Sequence, residues 1–131
     1  MAFSPVKSDT GAVVPFEYLP ATAGDYTAGQ LLTVASGKLN ALSADTATTP
    51  PYLCVFEGTA VDGDIIAVLR VADDLIYETT LAAQATSAAV GGKLQVASGG
   101  LQAKYSTGTG TFEIVSMDGT NAGDVVRGRF V

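Results

Sequence analysis

The residues with chemistry to offer are few and scattered. Histidine is absent from the 131-residue chain, which removes the commonest general base, the usual nucleophilic triads and most transition-metal sites. The single cysteine, Cys54, stands between Leu53 and Val55, the setting of a buried, inert thiol rather than of a nucleophile. Ser4-Pro5-Val6-Lys7 has the Ser-x-x-Lys spacing of an acyl-transfer pair, but a proline interrupts it in a stretch with no helical or strand period. Asp62-Gly63-Asp64 and the Asp118 to Asp124 segment carry carboxylates that could hold a cation. Neither has the spacing or closing glutamate of a calcium loop, and aspartate beside glycine is an ordinary turn former. Gly108-Thr109-Gly110 is followed by no helix that would complete a phosphate cradle. The five tyrosines are dispersed and no basic cluster is interleaved with them, so no base-stacking platform is predicted. No catalytic, cofactor-binding or metal-ligating constellation emerges, and the chain reads as a non-enzyme.

Composition narrows the classes further. Thirteen acidic against seven basic residues give a net charge of −6. With no Lys/Arg cluster, nucleic acid and anionic membranes are poor partners. One cysteine excludes an internal disulfide framework, and a reducing compartment fits best. The N-terminus, Met1-Ala2-Phe3-Ser4-Pro5-Val6-Lys7, shows no apolar signal region, and the apolar run Ile65 to Leu69 is far too short to span a bilayer. Apolar residues make up 47% of the chain, much of it Ala, while charged residues are only 15%. Thr, Ser and Gly fill the polar positions. That palette is all-β with many turns, and the length suits one domain.

The elements that would position these residues are organised by a repeat. Val34-Ala35-Ser36-Gly37-Lys38-Leu39-Asn40-Ala41 returns 62 positions later as Val96-Ala97-Ser98-Gly99-Gly100-Leu101-Gln102-Ala103, with six of eight residues identical. Ala28-Gly29-Gln30-Leu31-Leu32 answers to Val90-Gly91-Gly92-Lys93-Leu94 at the same spacing. Gly63-Asp64-Ile65-Ile66 answers to Gly123-Asp124-Val125-Val126 at a spacing of 60, and the two-residue slip is assigned to intervening loops. Each octet is a turn signal: an apolar run, a Ser-Gly break, then a new alternation from Leu39 or Leu101. Two related β-hairpin units follow, at about residues 28–71 and 90–131.

Residues 1–15 mix Phe3, Pro5, Val6 and Val13-Val14-Pro15 with Ser, Asp and Gly. They read as an extended, loosely held N-terminal arm, with a first edge strand as the alternative. A single β domain, 16–131, follows. Its expected strands are Phe16 to Leu19, Gln30 to Val34, Lys38 to Leu42, Tyr52 to Glu57, Ile65 to Val71, Leu75 to Thr80, Lys93 to Val96, Leu101 to Lys104, Thr111 to Met117 and Val125 to Val131. Leu81 to Val90 is ambiguous, since its Ala and Gln allow a short, marginal helix.

The two copies differ in one informative way. In Val125 to Val131, Arg127 and Arg129 share one face, while Val126 and Phe130 mark the other as the core side. The aligned strand has Ala67 and Leu69 where the second copy has arginines. An apolar strip on an otherwise solvated face has to be covered. Ala67 and Leu69 are therefore candidates for a subunit interface; the arm, or loops of the same chain, are the alternatives.

The order of these segments resembles the head decoration (capsid cement) proteins of tailed bacteriophages. The resemblance lies in Ala28-Gly29-Gln30-Leu31-Leu32, Ser36-Gly37-Lys38-Leu39, a Thr-rich loop, Tyr52 through Ala60, Gly63 through Val68, and Leu75-Ile76-Tyr77-Glu78-Thr79-Thr80-Leu81. It covers residues 28–81 well and the second unit more loosely, and a Trp-Pro feature of the lambda-type member is missing after Leu81. It implies a small β-barrel or β-tulip-like domain, a homotrimer made in the host cytoplasm and placed on the capsid exterior. Its partners would be the major capsid protein and itself, with no cofactor. Its function would be to stabilise the virion by bridging capsomers. The arm residues expected to contact the capsid are Phe3, Pro5, Val6, Val13, Val14 and Phe16. The other functional readings are a tail-tube, neck or head-fibre-base protein, or a small β adhesin domain.

Overall fold

A computed structural model describes residues 2–11 and 14–131. Among these the chain is all-β, with strands arranged antiparallel in two main sheets. The first sheet runs β2 (Phe16–Pro20), β8 (Ile65–Arg70), β6 (Tyr52–Cys54), β4 (Leu31–Ala35), β5 (Lys38–Ala41). The second runs β1 (Ser4–Ser8), β9 (Leu75–Thr80), β13 (Val125–Phe130), β12 (Phe112–Met117), β10 (Lys93–Val96), β11 (Ala103–Lys104). A separate pair, β3 (Gly24–Tyr26) and β7 (Gly58–Ala60), lies outside both. The 81–90 segment forms turns and no helix.

Leaving β1 aside, the two sheets have one topology: β2-β8-β6-β4-β5 matches β9-β13-β12-β10-β11. The duplication therefore spans about 16–71 and 76–131, more than the hairpins alone. Its hydrogen bonds repeat residue for residue. Ala21 N–H donates to Asp64 C=O and Leu81 N–H to Asp124 C=O; Gly63 N–H donates to Ala21 C=O and Gly123 N–H to Leu81 C=O. A single parallel bridge joins the two edges of each sheet, Ala21 to Leu39 and Leu81 to Ala103.

Those bridges correct the alignment drawn from the octets. In space Leu39 matches Ala103 rather than Leu101, because Val34 pairs with Leu39 while Val96 pairs with Ala103. The first hairpin closes tightly on Ser36 and Gly37, both at positive φ (52° and 76°), as a two-residue type I′ turn requires. The second turn, Ala97 to Gln102, is two residues longer and uses Gly99 and Gly100 at positive φ. The loop that follows compensates: 13 positions separate Leu39 from Tyr52, but only 9 separate Ala103 from Phe112.

The insertions are what join the units. The longer second turn docks on the first unit, where Leu31 N–H donates to Gly100 C=O (2.8 Å) and Gln30 Nε2 to Gly99 C=O (3.0 Å). The longer first loop reaches back. Thr46 and Val96 exchange backbone bonds, and the Asp45 carboxylate accepts from Ser98 N–H and Lys104 Nζ (both 2.8 Å). The Lys104 and Ser98 hydrogen bonds, in that order, hold the Asp45 carboxyl below its usual range. A Cβ on Gly100 would collide with the Leu31 carbonyl. Gly100→Ala is therefore expected to destabilise the chain by about 2–3 kcal/mol, measured by urea unfolding. Gly37→Ala, which meets nothing within 4 Å, should cost only its positive-φ strain, about 1 kcal/mol.

The N-terminus departs from the expectation of a loosely held arm. Residues 4–8 form β1, an antiparallel edge strand on β9, with Ser4 opposite Glu78 and Ser8 opposite Leu75. Phe3 is 2% exposed and stands edge-on to Phe112 (5.6 Å, 89°), beside Phe130. Phe112 and Phe130 in turn lie 5.0 Å apart, with Tyr77 5.5 Å from Phe130. Aromatic area of this size fixes an N-terminus far more firmly than strand pairing alone. Phe3 is thus a core residue of the second unit, not a free contact. Pro5, Val6 and Phe16 are exposed, Val14 is partly buried against the core, and Val13 lies outside the described residues.

Candidate functional site

The sequence candidates for chemistry resolve into structural roles. Cys54 is fully buried at the end of β6, with its Sγ donating to Phe56 C=O, and burial pushes its thiol pKa up. It should resist thiol reagents in the native protein and react once in denaturant; rapid native labelling would contradict this placement. Asp64 and Asp124 accept the N–H of Val61 and Asn121 across equivalent turns, so both serve as turn formers. Among the described residues no group of three or more His, Cys, Asp or Glu is placed to hold a metal. Ser4 and Lys7 fall in β1.

What distinguishes the first unit is one face of its sheet. Across the second sheet a register row reads Lys93, Glu113, Arg129. The equivalent row of the first sheet reads Leu31, Leu53, Leu69, Phe16. The next row repeats the contrast. Arg127 lies opposite Glu78 and binds it at 2.8 Å, whereas Ala67 lies opposite Tyr18. Arg127 also bonds Asp118, and Arg129 bonds Asp9. Charged, ion-paired residues thus stand in the second unit where the first has Tyr18, Ala67 and Leu69, while Phe16 and Ile65 match the apolar Ile76 and Val125.

Cover on that apolar face fades along the row. Leu31 and Leu53 are buried, packed in the core that Phe3 and the second unit share. Ala67 and Leu69 are half-buried. Phe16, Tyr18 and Ile65 are 58%, 65% and 62% exposed. A cleft of about 450 Å³ opens beside them, between Pro5 at the start of β1 and Leu53, Val55 and Leu69. The same chain therefore covers Leu31 and Leu53 and leaves Ala67 and Leu69, the two positions singled out from the sequence, half-buried beside exposed Phe16, Tyr18 and Ile65. Phe16, Tyr18 and Ile65 thus form an exposed aromatic and aliphatic patch beside Ala67 and Leu69.

On its other side β2 is held by polar groups. Arg70 donates twice to the Glu17 carboxylate (both 3.1 Å), lies 5.0 Å over the Tyr52 ring and reaches its hydroxyl. In the second unit the three equivalent positions are Phe130, Tyr77 and Phe112, the cluster into which Phe3 inserts. Periodicity pointed to Ala67 and Leu69, and their cross-strand partners Tyr18 and Phe16 complete the patch. The equivalence of β2 with β9, which exposes the contrast, is hidden in sequence because Phe16-Glu17-Tyr18-Leu19-Pro20 and Ile76-Tyr77-Glu78-Thr79-Thr80 share no residue at matched positions.

A scan against protein-family models gave no match, and a search of curated proteins likewise matched none.

Proposed function

We propose that this chain is a structural virion protein that docks on the outside of a tailed-phage capsid and stabilises the shell by bridging capsomers. The observation that carries the reading is the apolar row ending in exposed Phe16, with Ile65 beside it and with Tyr18, Ala67 and Leu69 where the duplicate unit carries the ion-paired Glu78, Arg127 and Arg129. A duplication that keeps one face charged and makes its twin apolar has set the second face apart for contact. The resemblance of residues 28–81 to head decoration proteins supplies the kind of partner. In this reading each unit is a small five-stranded barrel whose edges meet at the Ala21–Leu39 or Leu81–Ala103 bridge.

The contact surface of this proposal differs from the arm expected from sequence. Phe16 takes part, Pro5 lines the cleft, Val6 is exposed on β1, and Phe3 stays in the core. The protein is expected to pellet with purified expanded, DNA-free capsids and to raise their resistance to heat. A protein that stays in the supernatant at saturating shell concentration overturns the reading.

A further inference from the structure

The duplication also indicates how β2 is completed. In the second unit β9 is not an edge: β1 of the same chain pairs along it, with Lys7 opposite Ile76 and Ser4 opposite Glu78. Among the described residues the first unit has no such strand, and β2 ends its sheet. The free backbone groups follow from parity. Ala21 N–H donates to Asp64 C=O on the β8 side, whereas Thr22 N–H donates to Leu39 C=O on the far side. Odd residues of β2 therefore bond β8, and Phe16 and Tyr18 turn their N–H and C=O groups toward solvent. These positions match Ile76 and Glu78, whose outward groups β1 satisfies.

The β1 and β2 edges are also treated differently. β1 carries Pro5, Lys7 and a bulge between them, three devices that keep an edge from pairing with another chain. Within β2 such a device stands only at the end, where Pro20 lacks an outward N–H; residues 16–19 have none, and their one charge, Glu17, is paired with Arg70. We propose that the β2 edge pairs antiparallel with β2 of a second copy, forming a two-fold dimer. Phe16 of each copy then lies opposite Tyr18 of the other, which makes two aromatic cross-strand pairs and up to four backbone hydrogen bonds. The two Glu17 carboxylates face each other on the opposite side, each already held by its own Arg70. The pairing closes on itself, so it stops at two copies. It also sets the two apolar faces side by side as one band twice as long. Two aromatics and a short strand edge bury well under the roughly 1,200 Å² of total area found in standard interfaces. The dimer is accordingly weak, with a Kd on the order of micromolar to hundreds of micromolar.

The pairing gives a two-fold dimer in place of the homotrimer that the resemblance implies, does not depend on the proposed capsid role, and is tested by solution mass, through light scattering or native mass spectrometry, from about 5 to 500 μM, where a trimer would overturn it. The expected result is a monomer passing to a dimer over this range. Tyr18→Pro removes an N–H that faces solvent while leaving the bonds to β8 intact, and should weaken the dimer at least tenfold with an unchanged melting temperature. Phe16→Lys leaves every backbone group in place, should have the same effect, and decides the matter if the proline variant does not fold. A monomer at every concentration, or a dimer that both variants retain, overturns the proposal. A monomer whose capsid binding is abolished by Tyr18→Pro also overturns it, and would assign the edge to an extended segment of the shell.

Discussion

Replacing Phe3 with alanine is expected to destabilise the protein by about 3–5 kcal/mol, the range for emptying a buried aromatic site. The ring is 2% exposed and packs against Phe112 and Phe130, and its backbone N–H donates to Gly29 C=O at 2.9 Å. That anchor bridges the two units, because Gly29 precedes β4 of the first while both rings belong to the second. A loss of this size is a large fraction of the 5–15 kcal/mol that holds a typical domain together. Urea unfolding of the full chain measures it. A cost under about 1 kcal/mol would return Phe3 to a solvated arm, since surface substitutions rarely exceed about 0.5 kcal/mol.

Leu31→Lys is expected to cost at least as much, about 4 kcal/mol or more. It places in the first unit the residue type that the second unit carries at the equivalent position, Lys93. Lys93 is exposed and Leu31 is fully buried beneath the Gly99–Gly100 turn. A lysine there would set its charge within the apolar cluster of Phe3, Leu53 and the second unit's core residues. The mirror substitution, Lys93→Leu, should leave the melting temperature almost unchanged. Similar small effects at both positions would mean that the two sheets do not differ in what covers them.

How much of this was legible in the sequence follows from what each element needs. The first hairpin was fully legible, because alternating residues and a Ser-Gly pair specify it locally. The strand carrying Arg127, Arg129 and Phe130 was legible from period two alone. β3 and β7 were not, since Gly-Asp-Tyr and Gly-Thr-Ala are too short for any period and pair only because distant parts of the chain bring them together. β1 was obscured by Pro5 and by its bulge, which break the alternation. The role of Phe3 depends on space between Phe112 and Phe130 more than 100 residues away, which no local signal reports. The second turn misled because Val-Ala-Ser-Gly recurs while two added residues move its following strand out of the apparent register. Of the candidate site, Ala67 and Leu69 stood out by comparison with Arg127 and Arg129. Their exposed neighbours Phe16, Tyr18 and Ile65 needed the strand pairing of β2 with β8.

In the proposed function, the exposed part of the first unit's outer face, around Phe16 and Tyr18, is the surface that meets the capsid. The most direct measurement compares wild type with the double variant Phe16→Ser, Tyr18→Ser for binding to expanded, DNA-free shells at matched concentrations, with thermal melts in parallel. Loss of both side chains from exposed positions should leave the melting temperature within about 2 °C and weaken shell binding at least tenfold. Equal binding by the two proteins, or no binding by the wild type, would contradict it.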